Sequence, residues 1–378
     1  MTHTTSAIIR QYDIDWLRIL AVLLLIPFHT ARLFDIWEIN YVKNAELSDA
    51  LSYLIVFIGQ WHMPLLFLLA GSATWFALGH RSAGGYARER FLRLLIPLVF
   101  GVLVLVPPQA YLARFQELGY SGSYLQFLPD YFNIRGDLTG YTGLFTPGHL
   151  WFILYLFVFS LVSLPLFLLL KRDGRFITWL ERGCDKSGLI YLLAVPLGLS
   201  RALPDIGGKN PFYFIILFIY GFLLMGDSRF RRVLDRNKGI SLILGIATMA
   251  VTITLYAFSV PIVDNSLEDV LFTALRTFAA WFWLIAILGY GQRYLNFTNK
   301  VQQYANEAAY PFYILHQTVI IVLGYFVVQW NVNLWIKFGV IALGSFAGTL
   351  LLYDVCAKRT NVTLFLFGMK PLARKERK

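Results

Sequence analysis

Two basic side chains share the first apolar segment of the chain, and their spacing gives them a common helix face. Arg18 and His29 are 11 residues apart, which in an α-helix is three turns plus about 20°, or about 16 Å along the axis. Arginine binds anionic groups well, and imidazole acts as a general base or a nucleophile near neutral pH. The pair fits a long ligand with its anionic head on Arg18 and its reactive end toward His29. The structural alternative is that Arg18 reaches the membrane interface and His29 only packs.

A second basic pair precedes the third apolar segment. Arg90 and Arg93 are three residues apart, directly ahead of Leu94-Leu95-Ile96-Pro97, and would share one face of a helix. The forked guanidinium group suits phosphate. The same arginines also fit ordinary membrane anchors, and the residues by themselves leave both interpretations open.

Further ionisable residues lie inside apolar segments, where they are costly unless they have a function or a partner. They are His62, His149, Arg276 and His316. Each one alone fits a packing or interfacial residue. Three histidines and an arginine in the outer half of one bundle nevertheless favour a common site. None of the spacings matches a metal-binding motif, so we expect no metal.

The elements that position these residues must be membrane helices. The chain has 378 residues, of which 57% are hydrophobic and 15% charged, against about a half and a quarter in soluble domains. Lipid requires every backbone polar group to be paired within the segment or barrel, so the composition predicts an all-α transmembrane bundle. The net charge of +11 does not indicate nucleic acid, because the basic residues lie at the ends of apolar runs.

Ten segments are apolar enough to cross the membrane, and we expect them to form a single integral membrane domain over residues 1–378. The fifth segment is short, because a span ordinarily needs about 20 residues. We expect the first to be an uncleaved span, because no small-x-small cleavage site follows it. The predicted spans are 14–34, 51–79, 94–112, 148–170, 187–200, 210–226, 239–260, 270–290, 309–329 and 334–354.

The basic residues orient these spans. Cytoplasmic loops collect Lys and Arg, and most of the 33 in the chain fall on one side if both termini are cytoplasmic. If the fifth segment did not cross, the basic run from Arg229 to Lys238 would lie outside, against this rule, so we expect the fifth segment to cross. Cys184 and Cys356 then face the reducing side, where free thiols are expected.

Five stretches, in order from residue 13 to residue 317, resemble motifs of the membrane-bound acyltransferase 3 family. They are Asp15-Trp16-Leu17-Arg18 with His29 eleven positions later, His62-Met63-Pro64 through Gly71, Arg90-x-x-Arg93 ahead of Pro97, His149-Leu150-Trp151-Phe152, and Tyr310-Pro311-Phe312-Tyr313-Ile314-Leu315-His316-Gln317. The region around His29 and the segment from Asn306 to His316 resemble most the branch that transfers succinyl groups in glucan biosynthesis. One departure is Ala70-Gly71-Ser72, where the family commonly has Ser-Gly, which puts a role for a serine there in doubt.

The resemblance implies transfer of an acetyl or succinyl group from cytoplasmic acyl-CoA to a hydroxyl of an extracytoplasmic glycan or lipid-linked sugar. His29 would be the catalytic base or the acylated group, and Arg18, Arg90 and Arg93 would bind the donor's phosphates. It also implies a multi-pass protein of a bacterial-type inner membrane, whose partners are the bilayer, acyl-CoA and the acceptor, and no nucleic acid. The supporting or substrate-binding residues would be Asp15, His62, His149, Trp151, Arg276, Asn306 and His316.

Two other classes of protein remain as alternatives. A secondary transporter or flippase also has ten helices, central polar residues and Gly or Pro breaks, but the sequence shows no internal repeat and no acidic residue deep in a span. A non-catalytic scaffold would leave the common face of Arg18 and His29 unexplained. Binding of acyl-CoA distinguishes the acyltransferase from both.

Overall fold

The computed structural model describes residues 11–37, 40–117, 119–133, 143–185, 188–226 and 228–372. Within these ranges the chain is helical and has no strand, which confirms the all-α prediction. Some residues used to orient the spans, namely Arg10, Arg135, Lys186 and the basic residues after 372, lie outside the described part of the chain.

The helices follow one another with few long connections. Nine of them form the first half of the chain: α1 (Tyr12–Leu23), α2 (Leu25–Ala31), α3 (Asp49–His80), α4 (Ala83–Arg90), α5 (Ile96–Phe100), α6 (Pro107–Glu117), α7 (Tyr124–Tyr131), α8 (Trp151–Val162) and α9 (Leu164–Arg172). Nine more form the second half: α10 (Arg175–Asp185), α11 (Leu189–Leu192), α12 (Ala194–Ser200), α13 (Pro211–Leu224), α14 (Ser228–Ala257), α15 (Leu267–Tyr294), α16 (Lys300–Val327), α17 (Leu334–Leu352) and α18 (Asn361–Leu366). A 3₁₀ turn at Gly148–Leu150 and π-helical turns at Phe91–Leu95, Gly101–Leu105 and Tyr353–Ala357 complete the described helical structure.

Seven helical runs in the described part of the chain are long and apolar enough to cross a membrane: Tyr12–Ala31, Asp49–His80, Ala83–Gln116, Arg229–Ala257, Leu267–Tyr294, Lys300–Val327 and Leu334–Ala357. The pair α8 and α9, bent by 48°, makes an eighth if it is one broken span. Two shorter apolar helices, Leu189–Ser200 and Pro211–Leu224, correspond to the fifth and sixth predicted spans. The protein is therefore a multi-pass helical bundle, and the count of ten spans stays a prediction.

Two glycines allow α3 and α13 to pack backbone against backbone. A Cβ atom on Gly71 would lie 1.9 Å from the carbonyl oxygen of Phe218, and one on Gly221 would lie 1.8 Å from that of Leu68. Ser72 extends the contact, because its hydroxyl donates to the carbonyls of Leu68 at 3.0 Å and Gly221 at 3.1 Å. Small residues at such crossings are typical of membrane helices, so this serine has a structural role.

The first two helices pack against four later ones. The helix α1 packs against α3, α15 and α16, and α2 continues its direction against α3, α16 and α17. Asp13 of α1 is buried and bonds to Arg231 of α14 at 2.9 Å. This packing brings the Arg18 and His29 face to α16, which carries Asn306 and His316.

Candidate functional site

A cavity of about 800 Å³ opens at the arginine-rich end of the bundle. Its walls come from α1, α3, α4, α8, α16 and the segment after α18. The residues predicted to hold an anionic ligand all line it: Arg18, Arg90 and Arg93, together with Asn306. Segments more than 200 residues apart in sequence thus meet at one opening.

Five arginine and lysine side chains line this cavity, and we name them the basic mouth: Arg18, Arg81, Arg90, Arg93 and Lys370. Glu89 holds three of these groups together, with carboxylate oxygens 3.2 Å from Arg81, 3.3 Å from Arg90 and 3.4 Å from Arg93. Glu89 and Glu307 are the acidic residues of the lining. The basic mouth therefore keeps an excess of positive charge, which suits an anionic ligand.

Arg18 is held in a defined position at this opening. Its guanidinium group donates to the carboxylate of Asp15 at 2.8 Å and to the side-chain oxygen of Asn306. The aspartate lies one turn away on the same helix, and the asparagine lies on α16. These bonds connect two of the predicted supporting residues directly to a predicted ligand-binding arginine.

The backbone at Arg93 has an unusual bonding pattern. Pro97 has no N–H and so cannot make the regular α-helical bond to the carbonyl of Arg93, and the chain forms a π-helical turn over Phe91–Leu95. The hydroxyl of Tyr310 donates to the Arg93 carbonyl at 2.7 Å instead. Such π turns are frequent at functional sites, and this one joins the basic mouth to α16.

The deeper part of the cavity is apolar and ends beside a tyrosine. Val22, Leu66 and Phe152 belong to its lining, and so does Tyr313. The hydroxyl of Tyr313 donates to the backbone carbonyl of His149. The ring of Tyr313 also lies 5.7 Å, between centroids, from that of His316. Tyr313 therefore separates the cavity from a group of histidines.

Three predicted site histidines form one cluster behind Tyr313, and we name them the histidine cluster: His29, His149 and His316. The ring centroid of His316 lies 5.3 Å from that of His29 and 5.3 Å from that of His149. Phe28 connects His62 to this group, with ring centroids 6.3 Å from His62 and 5.1 Å from His29. The structure thus brings together four histidines from four different spans.

Backbone carbonyls fix which ring nitrogen carries the proton in three of these residues. A carbonyl oxygen only accepts, so the ring atom facing it is the N–H. His62 Nε2 is 2.5 Å from the Ala21 oxygen, and His149 Nε2 is 2.9 Å from the Ile314 oxygen. In His316 it is Nδ1 that faces an oxygen, that of Tyr313 at 2.6 Å. When neutral, His316 therefore has its lone pair on Nε2, a buried atom with no hydrogen-bond partner among the described residues.

His29 differs from its neighbours in the cluster. Its ring is half-buried, and among the described residues it makes no hydrogen bond. The described cavity lining includes Tyr313 but not His29. The described contacts connect His29 to the cavity through His316 and Tyr313, and its imidazole has no bond among the described residues that a ligand would have to replace.

A glutamine of α6 and a threonine of α16 support His149. Gln109 follows two prolines, and its side-chain nitrogen donates to the Thr318 hydroxyl at 2.8 Å and to the Leu105 carbonyl at 3.1 Å. The same nitrogen lies 3.5 Å from His149 Nδ1. The Thr318 hydroxyl also donates to the Leu105 carbonyl, at 2.8 Å. This network fixes His149 between α6 and α16.

Two predicted site residues lie in other surroundings. The Trp151 ring packs against Phe214, with ring centroids 5.2 Å apart, and the ammonium group of Lys209 lies 5.6 Å from its centre. The guanidinium group of Arg276 lies 5.6 Å from the Phe272 ring. The described contacts join neither of them to the basic mouth or to the histidine cluster.

Sequence reasoning missed several residues of this site: Arg81, Glu89, Gln109, Tyr313, Thr318 and Lys370. Tyr313 had a detectable signal, because it lies one helical turn before His316 in a stretch already recognised as a motif. Arg81 and Lys370 had none, since basic residues at the ends of spans are common.

Comparisons with known proteins identify the family of this chain. A profile of the acyltransferase 3 family, described as an acyltransferase domain, matches residues 11–354. Similar proteins include the glucans biosynthesis protein C of Escherichia coli strain K12 and of Escherichia coli O157:H7, each 23% identical over 394 residues that cover 97% of this chain and 96% of the relative. No solved structure shows a significant match. The matched residues include the whole histidine cluster and every member of the basic mouth except Lys370. Because the profile covers most of the chain, the protein belongs to the acyltransferase 3 family.

Proposed function

We propose that this protein transfers an acetyl or succinyl group from acyl-CoA to a hydroxyl of an extracytoplasmic glycan or lipid-linked saccharide. One observation carries the proposal: a single cavity connects the basic mouth to Tyr313, which contacts two members of the histidine cluster. Membership of an acyltransferase family and the similarity to glucans biosynthesis protein C support the reaction type and the class of acceptor.

The size and the lining of the cavity support this choice of donor. Acyl-CoA has a phosphate-rich head and a long, uncharged arm that ends in the thioester. The phosphates would bind at Arg18, Arg90 and Arg93, while the arm would lie along the apolar walls toward Tyr313. A volume of about 800 Å³ is within the usual range of small-molecule sites.

The histidine cluster would then perform the transfer. His29 takes the proton from the acceptor hydroxyl, whose oxygen forms a bond to the carbonyl carbon of the thioester. The carbon–sulfur bond breaks, and the CoA thiolate leaves and is protonated to the thiol. In the alternative route the imidazole of His29 is itself acylated before the hydroxyl attacks. His316, whose ring centroid lies 5.3 Å from that of His29 and whose Nε2 has no described partner, would receive or share the proton.

The same proposal includes a topology. Ten spans with both termini in the cytoplasm of a bacterial-type inner membrane would place the basic mouth toward cytoplasmic acyl-CoA. The described contacts support a crossing by the two shorter apolar helices. Asp185, just before them, accepts a bond from Arg236 at 2.7 Å, whereas Ile206, between them, accepts one from Tyr155 near the His149 end of α8 at 2.8 Å.

Binding of the donor to the purified protein tests the proposal. We expect the protein in lipid nanodiscs to bind acetyl-CoA or succinyl-CoA, and added salt to weaken the binding, because the contacts are ionic. With a glucan acceptor, the protein should release CoA thiol and form an ester. If neither acyl-CoA binds at any ionic strength, the proposed donor is wrong, and a transporter becomes the better explanation of the cavity.

A further inference from the structure

The chain folds back on itself after its last membrane helix. The short helix α18 begins with a capping box, in which Thr360 accepts a bond from the Thr363 N–H at 3.1 Å while its own N–H donates to the Thr363 hydroxyl at 3.2 Å. The Leu372 N–H donates to the side chain of Asn361 at 2.9 Å and closes the segment. We name residues 361–372 the C-terminal strap, and it lies beyond the residues 11–354 that the family profile matches.

The strap is packed against the turn that carries Arg93. Leu364 and Phe367 are buried, and the Phe367 ring meets that of Phe100 with centroids 5.4 Å apart. Gly368 has a φ of +65°, and a Cβ atom there would lie 2.7 Å from the Arg93 carbonyl oxygen. Only glycine allows this approach without displacing either backbone.

The strap also forms part of the donor cavity. Gly368, Met369 and Lys370 line the cavity together with Arg90 and Arg93. The side chain of Lys370 is exposed, so its ammonium group can move toward an incoming anion at little cost in packing. Lysine binds phosphate as a mobile point charge, in contrast to the arginines fixed by Glu89.

We propose that the C-terminal strap is a wall of the donor site, with Lys370 as a ligand of the donor's phosphates and Gly368 holding the strap against Arg93. The inference rests on the proposed function, since it assumes that the anion in this cavity is acyl-CoA. It adds a donor-binding element from a region outside the family profile, so relatives that differ after their last span would differ in donor affinity.

Direct binding of acyl-CoA to charge variants tests the role of Lys370. Lys370→Ala should raise the Kd about two- to fivefold at low salt, as expected for an exposed ion pair, and Lys370→Glu should raise it further. High salt should reduce both effects. Lys300→Ala is the matched control, because Lys300 is also exposed, at the start of α16, and lies outside the cavity lining. Equal affinities of Lys370→Ala, Lys370→Glu and Lys300→Ala would overturn the inference.

A backbone variant and a reference variant complete the experiment. Gly368→Val should lower donor affinity by forcing the strap away from Arg93, while Gly174→Val, at a glycine with no atom within 4 Å of an added Cβ, should not. If the wild type fails to bind, the proposed function and this inference both fail. If the wild type binds and Arg90→Ala with Arg93→Ala weakens binding while the Lys370 variants do not, this inference alone fails.

Discussion

At the scale of single residues, the proposed mechanism assigns the reacting group to His29 and supporting roles to its neighbours. His62, His149 and His316 each donate to a backbone carbonyl, whereas the half-buried ring of His29 has no such bond among the described residues. The three histidines that are bonded to the backbone are fixed and can orient His29. His29, which lacks such a bond, can bond to the substrate.

We therefore expect His29→Ala to lower acyl transfer about 10²–10⁴-fold, the usual contribution of a general base. Acyl-CoA binding should stay near the wild-type value, since the basic mouth is intact, so the defect should appear in turnover and not in donor affinity. Steady-state transfer and equilibrium binding on the same purified sample measure both quantities. Folded His29→Ala protein that transfers acyl groups at the wild-type rate would remove His29 from the mechanism.

For the arginines of the basic mouth we expect the opposite pattern, with the defect in donor affinity. Arg90→Ala combined with Arg93→Ala should weaken acyl-CoA binding by about 1.5–3 kcal/mol for each charge-assisted hydrogen bond to phosphate that the substitutions remove. Arg175→Ala is a suitable control, because Arg175 pairs with Asp173 at 2.8 Å on the exposed start of α10. Titration of acyl-CoA into each variant decides the point: normal binding by the double variant would make these arginines membrane anchors only.

The sequence predicts part of this site for a clear physical reason. Helical periodicity is local, so the common face of Arg18 and His29 and the adjacency of Arg90 and Arg93 follow from spacing alone. The contacts of Tyr310 with Arg93 and of Gln109 with Thr318 depend on how distant helices pack, and no local pattern encodes that. Trp151 and Arg276 are predicted as site residues from the sequence, but in the structure their described contacts lie away from the basic mouth and the histidine cluster.

At the scale of helices, the bundle depends on close backbone contact between α3 and α13. Gly221→Ala should destabilise the protein by about 1–3 kcal/mol, as expected for an overpacked core, because the new methyl group would meet the Leu68 carbonyl. Gly239→Ala is the matched control: a Cβ atom there has no neighbour within 4 Å, and alanine favours helix over glycine. Thermal unfolding in detergent should show a lower Tm for Gly221→Ala only, and equal Tm values would contradict the crossing.

The helices themselves were largely predictable, and their irregularities were not. Apolar length locates the spans, and each predicted segment corresponds to a helical run. The π-helical turns before Pro97 and before Pro107 and the 48° bend between α8 and α9 arise where proline removes an N–H and other groups compensate. Sequence shows the proline, but it does not show which tertiary partner compensates.

At the scale of the whole molecule, the proposed reaction requires that the donor and the acceptor reach the site from opposite sides of the membrane. The basic mouth lies at one end of the cavity and the histidine cluster lies beyond the other. Transfer across a membrane follows only if the donor enters from the cytoplasm and the acceptor approaches from outside. The orientation of the bundle is therefore part of the mechanism.

Reporter fusions test this orientation and the count of ten spans together. A reporter that is active only outside the cytoplasm should be active when fused after Ser200 or near Asn265, and silent when fused after Lys186 or Lys238. The critical pair is Lys186 and Ser200, because the apolar helix between them, Leu189–Ser200, is shorter than a usual span. Its far end nevertheless leads to the loop that Tyr155 binds, so we expect it to cross with help from its neighbours. Equal reporter activity at these two sites would show that it does not cross, and an active fusion after Lys238 would place the arginine-rich end outside, away from cytoplasmic acyl-CoA.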